Sequence, residues 1–282
     1  MIHSETKWRT ADGTLAYGCA WTPEQDVPIR AVVCLVHGMG EHAGRYGHVA
    51  QELTDNGFAV LAFDQRGHGK TEGKRGHVPE YEGLLEGVDW MLSLAAEQYS
   101  ALPLFLYGHS MGGNVTLNYL LRSKPNLAGA VVTGPWLKLA FQAPPVTVAV
   151  GRVVERFFPG YINTRPLNVK SLTSDPEMMQ RYVEDPLGHG DISVRFFFSV
   201  QRAGLWAIQH ANELSVPILL MHGGDDKVTS IEASREFAEG AGGLCEFQEW
   251  PAFKHELHNE TRRSEVFAAI VDWLEKRIAA LT

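Results

Sequence analysis

The sequence predicts an α/β fold: a mostly parallel central sheet with helices on both faces. Three observations carry this. Short runs that are apolar throughout, such as Ala31–Val36 and Phe58–Phe63, read as strands buried on both faces. Between them lie segments whose apolar residues recur at helical spacing, such as Tyr81–Tyr99 with Leu84, Leu85, Val88, Met91, Leu92 and Ala95. The chain is 282 residues long and 45% hydrophobic, enough for one substantial core.

Taken in order, Trp8–Thr22 reads as an opening hairpin turned at Asp12-Gly13. Ala31–Val36 is the first buried strand and ends in His37-Gly38-Met39-Gly40. Tyr46–Asn56 follows as a helix with Val49, Ala50 and Leu53 inward, stopped by Gly57. Phe58–Phe63 is the next strand and Tyr81–Tyr99 the next helix. Leu102–Tyr107 is a strand, Asn114–Arg122 a helix, and Gly129–Thr133 a further strand. The alternation then lapses. Val146–Phe158 and the Phe196–Val200 cluster suggest a helical insertion, and no buried strand is evident until Val216–Met221. Most apolar faces of the insertion are expected to pack on the main domain, with a few lining an acyl-chain tunnel. The pattern resumes with the strand Val216–Met221, a helix over Ile231–Ala238, a strand over Leu244–Trp250 and a closing helix over Arg262–Leu281. The organisation is therefore a core of residues 1–134 and 215–282 interrupted by a cap of residues 135–214.

Composition narrows the function. A net charge of −8 without a run of like charges argues against a nucleic-acid partner. Three scattered cysteines suit a reducing cytoplasm and form neither a disulfide framework nor a metal spacing. The N-terminus lacks a signal-peptide pattern, and no apolar run approaches a membrane span.

In an open parallel sheet, ligands bind beyond the carboxyl ends of the strands, so the residues just after each strand carry the functional argument. Gly108-His109-Ser110-Met111-Gly112 matches G-x-S-x-G at a strand-to-helix corner. Such a corner lifts a serine hydroxyl above the sheet and sets it at a helix N-terminus that favours developing negative charge. A serine nucleophile needs a base, and the base needs a carboxylate to fix its tautomer. Asp226 and His255 each follow a later strand, in the chain order Ser, Asp, His of the α/β-hydrolases. Asp225 and His258 are their rivals. Acyl transfer also needs two N–H donors for the oxyanion. Met111, after the serine, offers one and Met39, in the loop after the first buried strand, the other. His37 and His109 are read as braces for the loops around the serine.

The stretches HGMGEHAGRY, FDQRGHGKTEG, LYGHSMGG, GGDDKVT and KHELHNE together resemble the monoacylglycerol lipase and lysophospholipase group of the α/β-hydrolase superfamily. The resemblance covers nearly the whole chain except the cap. It implies cleavage of a monoacylglycerol to glycerol and a fatty acid through an acyl-serine, with Ser110 as nucleophile, Asp226 as acid and His255 as base. It also implies Met39 as the second oxyanion donor, and head-group contacts from Glu41, Arg45 and His258. From residue chemistry alone, Glu41 and Arg45 equally make a surface ion pair.

No metal or organic cofactor is implied; His255 and His258 have no third ligand beside them. The expected partner is a small amphiphilic ester. The apolar cap leaves room for a transient membrane-surface contact by a cytoplasmic protein. The rival activities are a lysophospholipase, a general carboxylesterase or an aminopeptidase. A different kind of rival is a non-catalytic binding protein on the same scaffold. The serine at the corner argues against dehalogenase and epoxide hydrolase chemistry, which use an aspartate there.

Overall fold

The computed structural model describes residues 1–164 and 168–281. In chain order the elements are β1 (Ile2–Arg9), β2 (Leu15–Thr22), β3 (Ala31–Val36), α1 (Gly47–Asp55), β4 (Phe58–Phe63), α2 (Glu82–Gln98), β5 (Leu104–His109), α3 (Met111–Ser123) and β6 (Gly129–Thr133). They continue with α4 (Pro145–Phe157), β7 (Ile162–Thr164), α5 (Pro176–Glu184), β8 (Asp191–Ser193), α6 (Val194–Gln209), β9 (Ile218–Gly223), α7 (Ile231–Ala241), β10 (Cys245–Trp250) and α8 (Arg263–Ala279).

The sheet runs β1-β2-β4-β3-β5-β6-β9-β10. β1, β2 and β4 pair antiparallel, and every pair from β4 onward is parallel. The alternation of β3 shows why its six residues are all buried. Val32, Cys34 and Val36 face the layer holding α2 and α3, whereas Ala31, Val33 and Leu35 face the layer holding α1 and α8. A sheet covered on both faces needs apolar residues at every position of its central strands.

The expected strands over Ala31–Val36, Phe58–Phe63 and Gly129–Thr133 occur with those bounds. The strand expected from Leu102 begins at Leu104. Pro103 has no N–H to donate, and its carbonyl accepts from Val32 N at 3.0 Å. The helix expected from Asn114 begins three residues earlier, at Met111. Gly112 and Gly113 hide that first turn from propensity. A 3-10 turn over Ala43–Tyr46 precedes α1.

Among the described residues, the segment between β6 and β9 holds three α-helices, two short 3-10 turns and a short antiparallel ribbon, β7 with β8. Three-residue strands are too short to show alternation in sequence. α6 is knitted to the core. Asn114 Nδ2 donates to the Trp136 and Val200 carbonyls at 2.7 and 3.1 Å, and Asn118 Nδ2 to that of Ala203 at 3.1 Å. Phe196 and Val200 are fully buried there, as expected for an apolar face packed on the main domain.

α4 departs from that expectation. It buries no residue, and Val146, Val150, Val153 and Phe157 are 58–75% exposed. Its charged face, with Arg152, Glu155 and Arg156, is turned toward the body. Leaving these four side chains in water forgoes about 1.5–3 kcal/mol each relative to full burial.

Candidate active site

The parallel strands deliver their carboxyl ends to one edge of the sheet. β3 leads into His37–Gly40, β5 into Ser110, β9 into the turn holding Asp226, and β10 into the loop holding His255. Ser110 occupies the corner between β5 and α3 with φ at 53°, a backbone strain of about 1–3 kcal/mol. Close packing holds the corner. A Cβ at Gly112 would drive into the Val36 and His37 carbonyl oxygens, so only glycine lets α3 begin against the end of β3. Ser110 N donates to the Thr133 carbonyl at 3.0 Å, and the Ser110 carbonyl accepts from Asn114 N and Trp136 N.

The serine, histidine and aspartate form one hydrogen-bonded chain. His255 Nε2 lies 2.9 Å from Ser110 Oγ, and His255 Nδ1 lies 2.7 Å from Asp226 Oδ2. The network assigns the proton to Nδ1, leaving Nε2 to accept from the hydroxyl. Asp226 Oδ1 accepts from Val228 N at 2.7 Å and Thr229 N at 3.0 Å. The Thr229 hydroxyl lies 2.8 Å from Asp226 Oδ2, and His222 Nε2 lies 3.2 Å from the same oxygen. His222 is in turn held at Nδ1 by Ser234 Oγ, 2.8 Å away.

Burial works to protonate Asp226, but the charge on His255 and the hydrogen bonds from His222 and His255 outweigh it and hold the carboxyl well below the usual range. Burial works to strip the proton from His255, but the Asp226 carboxylate outweighs it and raises the imidazole above its ordinary value. The rivals stand apart. Asp225 is solvent-exposed and pairs with Lys227 at 2.7 Å. His258 stacks on Tyr46, and burial pushes its pKa well down.

Met39 N and Met111 N donate to no protein acceptor among the described residues. Met111 opens α3, where the first N–H groups have no partner within the helix. The loop carrying Met39 is braced from below. His37 Nδ1 lies 2.8 Å from the Gly38 carbonyl, and its Nε2 accepts from Gln65 N at 2.9 Å. Burial drives His37 down to about 3, so it stays neutral. His109, beside His255 at 4.9 Å between ring centres, is held by Thr133 Oγ1 at 3.0 Å.

Glu41 is buried rather than part of a surface ion pair. Its Oε1 accepts from Gly38 N at 2.5 Å and Tyr46 OH at 2.6 Å, and its Oε2 lies 3.3 Å from Arg45 Nε. Burial raises the Glu41 pKa against the pull of Arg45. Arg45 also reaches Glu256 at 3.2 Å and lies over the Tyr182 ring of α5 at 4.7 Å. The loop is fastened to the segment after α5 as well. His189 N donates to the Gly40 carbonyl at 2.9 Å, and His42 Nε2 lies 2.8 Å from Asp185 Oδ2. Sequence reading missed His222 and Thr229. Their only signal was position, four residues before and three after Asp226.

A family model described as "Serine aminopeptidase, S33" matches residues 27–262. A monoacylglycerol lipase of Mycolicibacterium smegmatis is 33% identical over 256 residues, covering 90% of each chain. An abhydrolase domain-containing protein of Dictyostelium discoideum is 34% identical over 99% of this chain, which spans 30% of that protein's length. The crystal structure of a Paleococcus ferrophilus monoacylglycerol lipase superposes with a TM-score of 0.81 at 33% identity, covering 98% of this chain and all of that one. The chain belongs to the serine aminopeptidase S33 family of α/β-hydrolases, within its monoacylglycerol lipase and lysophospholipase group.

Proposed function

We propose that this protein is a serine hydrolase that cleaves monoacylglycerols to glycerol and a free fatty acid through an acyl-serine. The observation that carries this is the Asp226–His255–Ser110 chain set beside two unpaired N–H groups, at the strand ends where such folds bind ligands. Relatives named for monoglyceride cleavage support the substrate class.

His255 Nε2 takes the Ser110 proton as Oγ attacks the ester carbonyl carbon. Met39 N–H and Met111 N–H hold the oxyanion, and Asp226 stabilises the imidazolium. The tetrahedral intermediate collapses, the glycerol oxygen leaves with the proton from His255, and the acyl group remains on Ser110. Water, deprotonated by His255, then releases the fatty acid and returns the proton to Ser110. Glu41, Arg45 and His258 serve the head-group side. Glu41 holding Gly38 N and Arg45 pairing with Glu41 support that role beside the Met39 loop, and His258 stacks on Tyr46, which donates to Glu41.

Residues 135–214 act as a cap over the core of 1–134 and 215–282, and the hydrogen bonds from Asn114 and Asn118 to α6 support α6 as its anchor. Three free thiols fit a reducing cytoplasm. The exposed valines and Phe157 of α4 supply the apolar face through which the enzyme touches a lipid surface.

The test is a fluorophosphonate probe together with monoacylglycerol turnover. Wild type acquires the probe on Ser110 and releases fatty acid. Ser110→Ala does neither while keeping its melting temperature within a few degrees. Turnover by a folded Ser110→Ala variant ends the proposal.

A further inference from the structure

A cavity of about 750 Å3 lies between the charged face of α4, α3, α6 and the start of α2, and neither Ser110 nor His255 borders it. Its wall carries Arg122 from α3, Arg152 and Arg156 from α4, and Arg195 and Arg202 from α6. Among the described residues, Glu80, Glu82 and Glu155 are the acidic ones on that wall. Five arginines against three glutamates leave the wall at +2, in a chain whose formal charge is −8.

The pairing within the cavity is uneven. Glu155 serves two guanidiniums, Arg152 at 3.2 Å and Arg202 at 2.7 Å, and Arg195 pairs with Glu80 at 2.7 Å. Arg122 has only a neutral oxygen, Asn118 Oδ1 at 3.2 Å, and lies over the Trp206 ring at 4.2 Å. Arg156 lies over the Phe157 ring at 6.0 Å. No carboxylate is within ion-pair distance of Arg122 or Arg156 among the described residues.

We propose that this cavity binds a phosphate group. Guanidinium forks match phosphate oxygens in paired hydrogen bonds, which a point-charge cation does not. A phosphate monoester carries a charge of about −1.5 to −2 at neutral pH, close to the excess on the wall. The volume falls within the range of small-molecule sites. Tyr81, Ala203 and Trp206 add an apolar flank for whatever the phosphate is attached to. Two sources share this chemistry: a free phosphorylated solute, and the head group of an anionic phospholipid met by the neighbouring exposed face of α4. The proposal stands whether or not the chain is a monoacylglycerol hydrolase.

The full chain is titrated calorimetrically with inorganic phosphate and with dodecyl phosphate below its micelle concentration. It is also floated with vesicles of phosphatidylcholine, with and without phosphatidic acid. Arg122→Gln/Arg156→Gln is compared with Arg262→Gln/Lys276→Gln, which removes the same charge from the exposed surface elsewhere. Circular dichroism checks folding. Binding at least tenfold weaker in the cavity variant, with the surface variant like wild type, is the expected result. Saturable binding of the dissolved phosphates identifies a free solute; retention only on phosphatidic acid vesicles identifies a head group. If the double variant fails to fold, Arg156→Gln alone, on the exposed helix α4, carries the same comparison. Absence of saturable binding to every probe overturns the proposal. So does equal loss in the surface variant, or wild-type binding by a folded cavity variant.

Discussion

Replacing Asp226 with Asn separates charge from packing at the site. The Asn side-chain oxygen can still accept from Val228 N and Thr229 N, which keeps the turn after β9 closed. Its amide nitrogen then faces His255 Nδ1, where a carboxylate oxygen lay 2.7 Å away. Nδ1 becomes an acceptor and the ring proton moves to Nε2, so the imidazole presents N–H to Ser110 and cannot take the hydroxyl proton. The imidazolium that forms during attack also loses a full negative charge. At this separation and an effective dielectric of 20, that interaction is about 6 kcal/mol, or roughly four decades of rate. We expect kcat/KM for a soluble short-chain ester to fall about 10^4-fold. Asp226 raises the His255 pKa, and the reaction needs the neutral ring. The wild-type acid limb should therefore lie above the ordinary histidine value of about 6.5, with activity lost as pH falls through it. Whatever activity remains in Asp226→Asn should persist to lower pH. The assay is initial rate from pH 4.5 to 9 with a thermal melt on each variant. A folded variant within tenfold of wild type, or one with an unmoved acid limb, would refute the reasoning.

Gly112→Ala should force α3 away from the end of β3 and spread the Met39 and Met111 donors. Steady-state kinetics and thermal melts should show kcat lowered about 100-fold and stability lowered by about 2 kcal/mol. Glu41→Gln keeps an acceptor for Gly38 N and Tyr46 OH and should cost about 1 kcal/mol or less, whereas Glu41→Ala should cost about 3 kcal/mol; chemical denaturation separates the two. Val150→Ser/Phe157→Ser on α4 should leave the melt unchanged within about 1 °C, because neither side chain is buried, and weaken vesicle binding by about 10- to 100-fold in flotation.

The core was legible because its strands are buried on both faces, which forces continuous apolar runs such as Ala31–Val36 and leaves little ambiguity of period. The serine corner was legible for a related reason. A strand turning into a helix within one residue needs small neighbours, and Gly108 and Gly112 write that need into the sequence. His222 and Thr229 were not legible. A histidine at the end of β9 and a threonine before α7 carry no local pattern that distinguishes them from packing residues. They matter because the turn brings both onto one oxygen of Asp226. Glu41 and Arg45 show the opposite difficulty. Their i, i+4 spacing suits an exposed ion pair, and only the fold reveals that Tyr46, Gly38 and Glu256 enclose them.

α4 marks where periodicity stops being informative. The spacing of Val146, Val150, Val153 and Phe157 shows that the helix has an apolar face, but amphipathicity is symmetric under a turn about the helix axis. Which face meets the body depends on what the body offers. Here α4 sets its charged face toward Arg202, Arg195 and Arg122 of α6 and α3, and Glu155 pairs with Arg202 across the gap and with Arg152 of its own helix. Gly151 faces the Phe198 ring, which a Cβ at that position would meet at 3.0 Å. The same choice of face leaves an uncovered apolar surface outside and an excess of guanidinium inside. The proposed lipid contact and the proposed phosphate site both rest on that single orientation. Glu155→Gln takes one carboxylate from the wall and raises its excess from +2 to +3, so calorimetry should show phosphate bound more tightly than by wild type; weaker binding by the folded variant would count against the site.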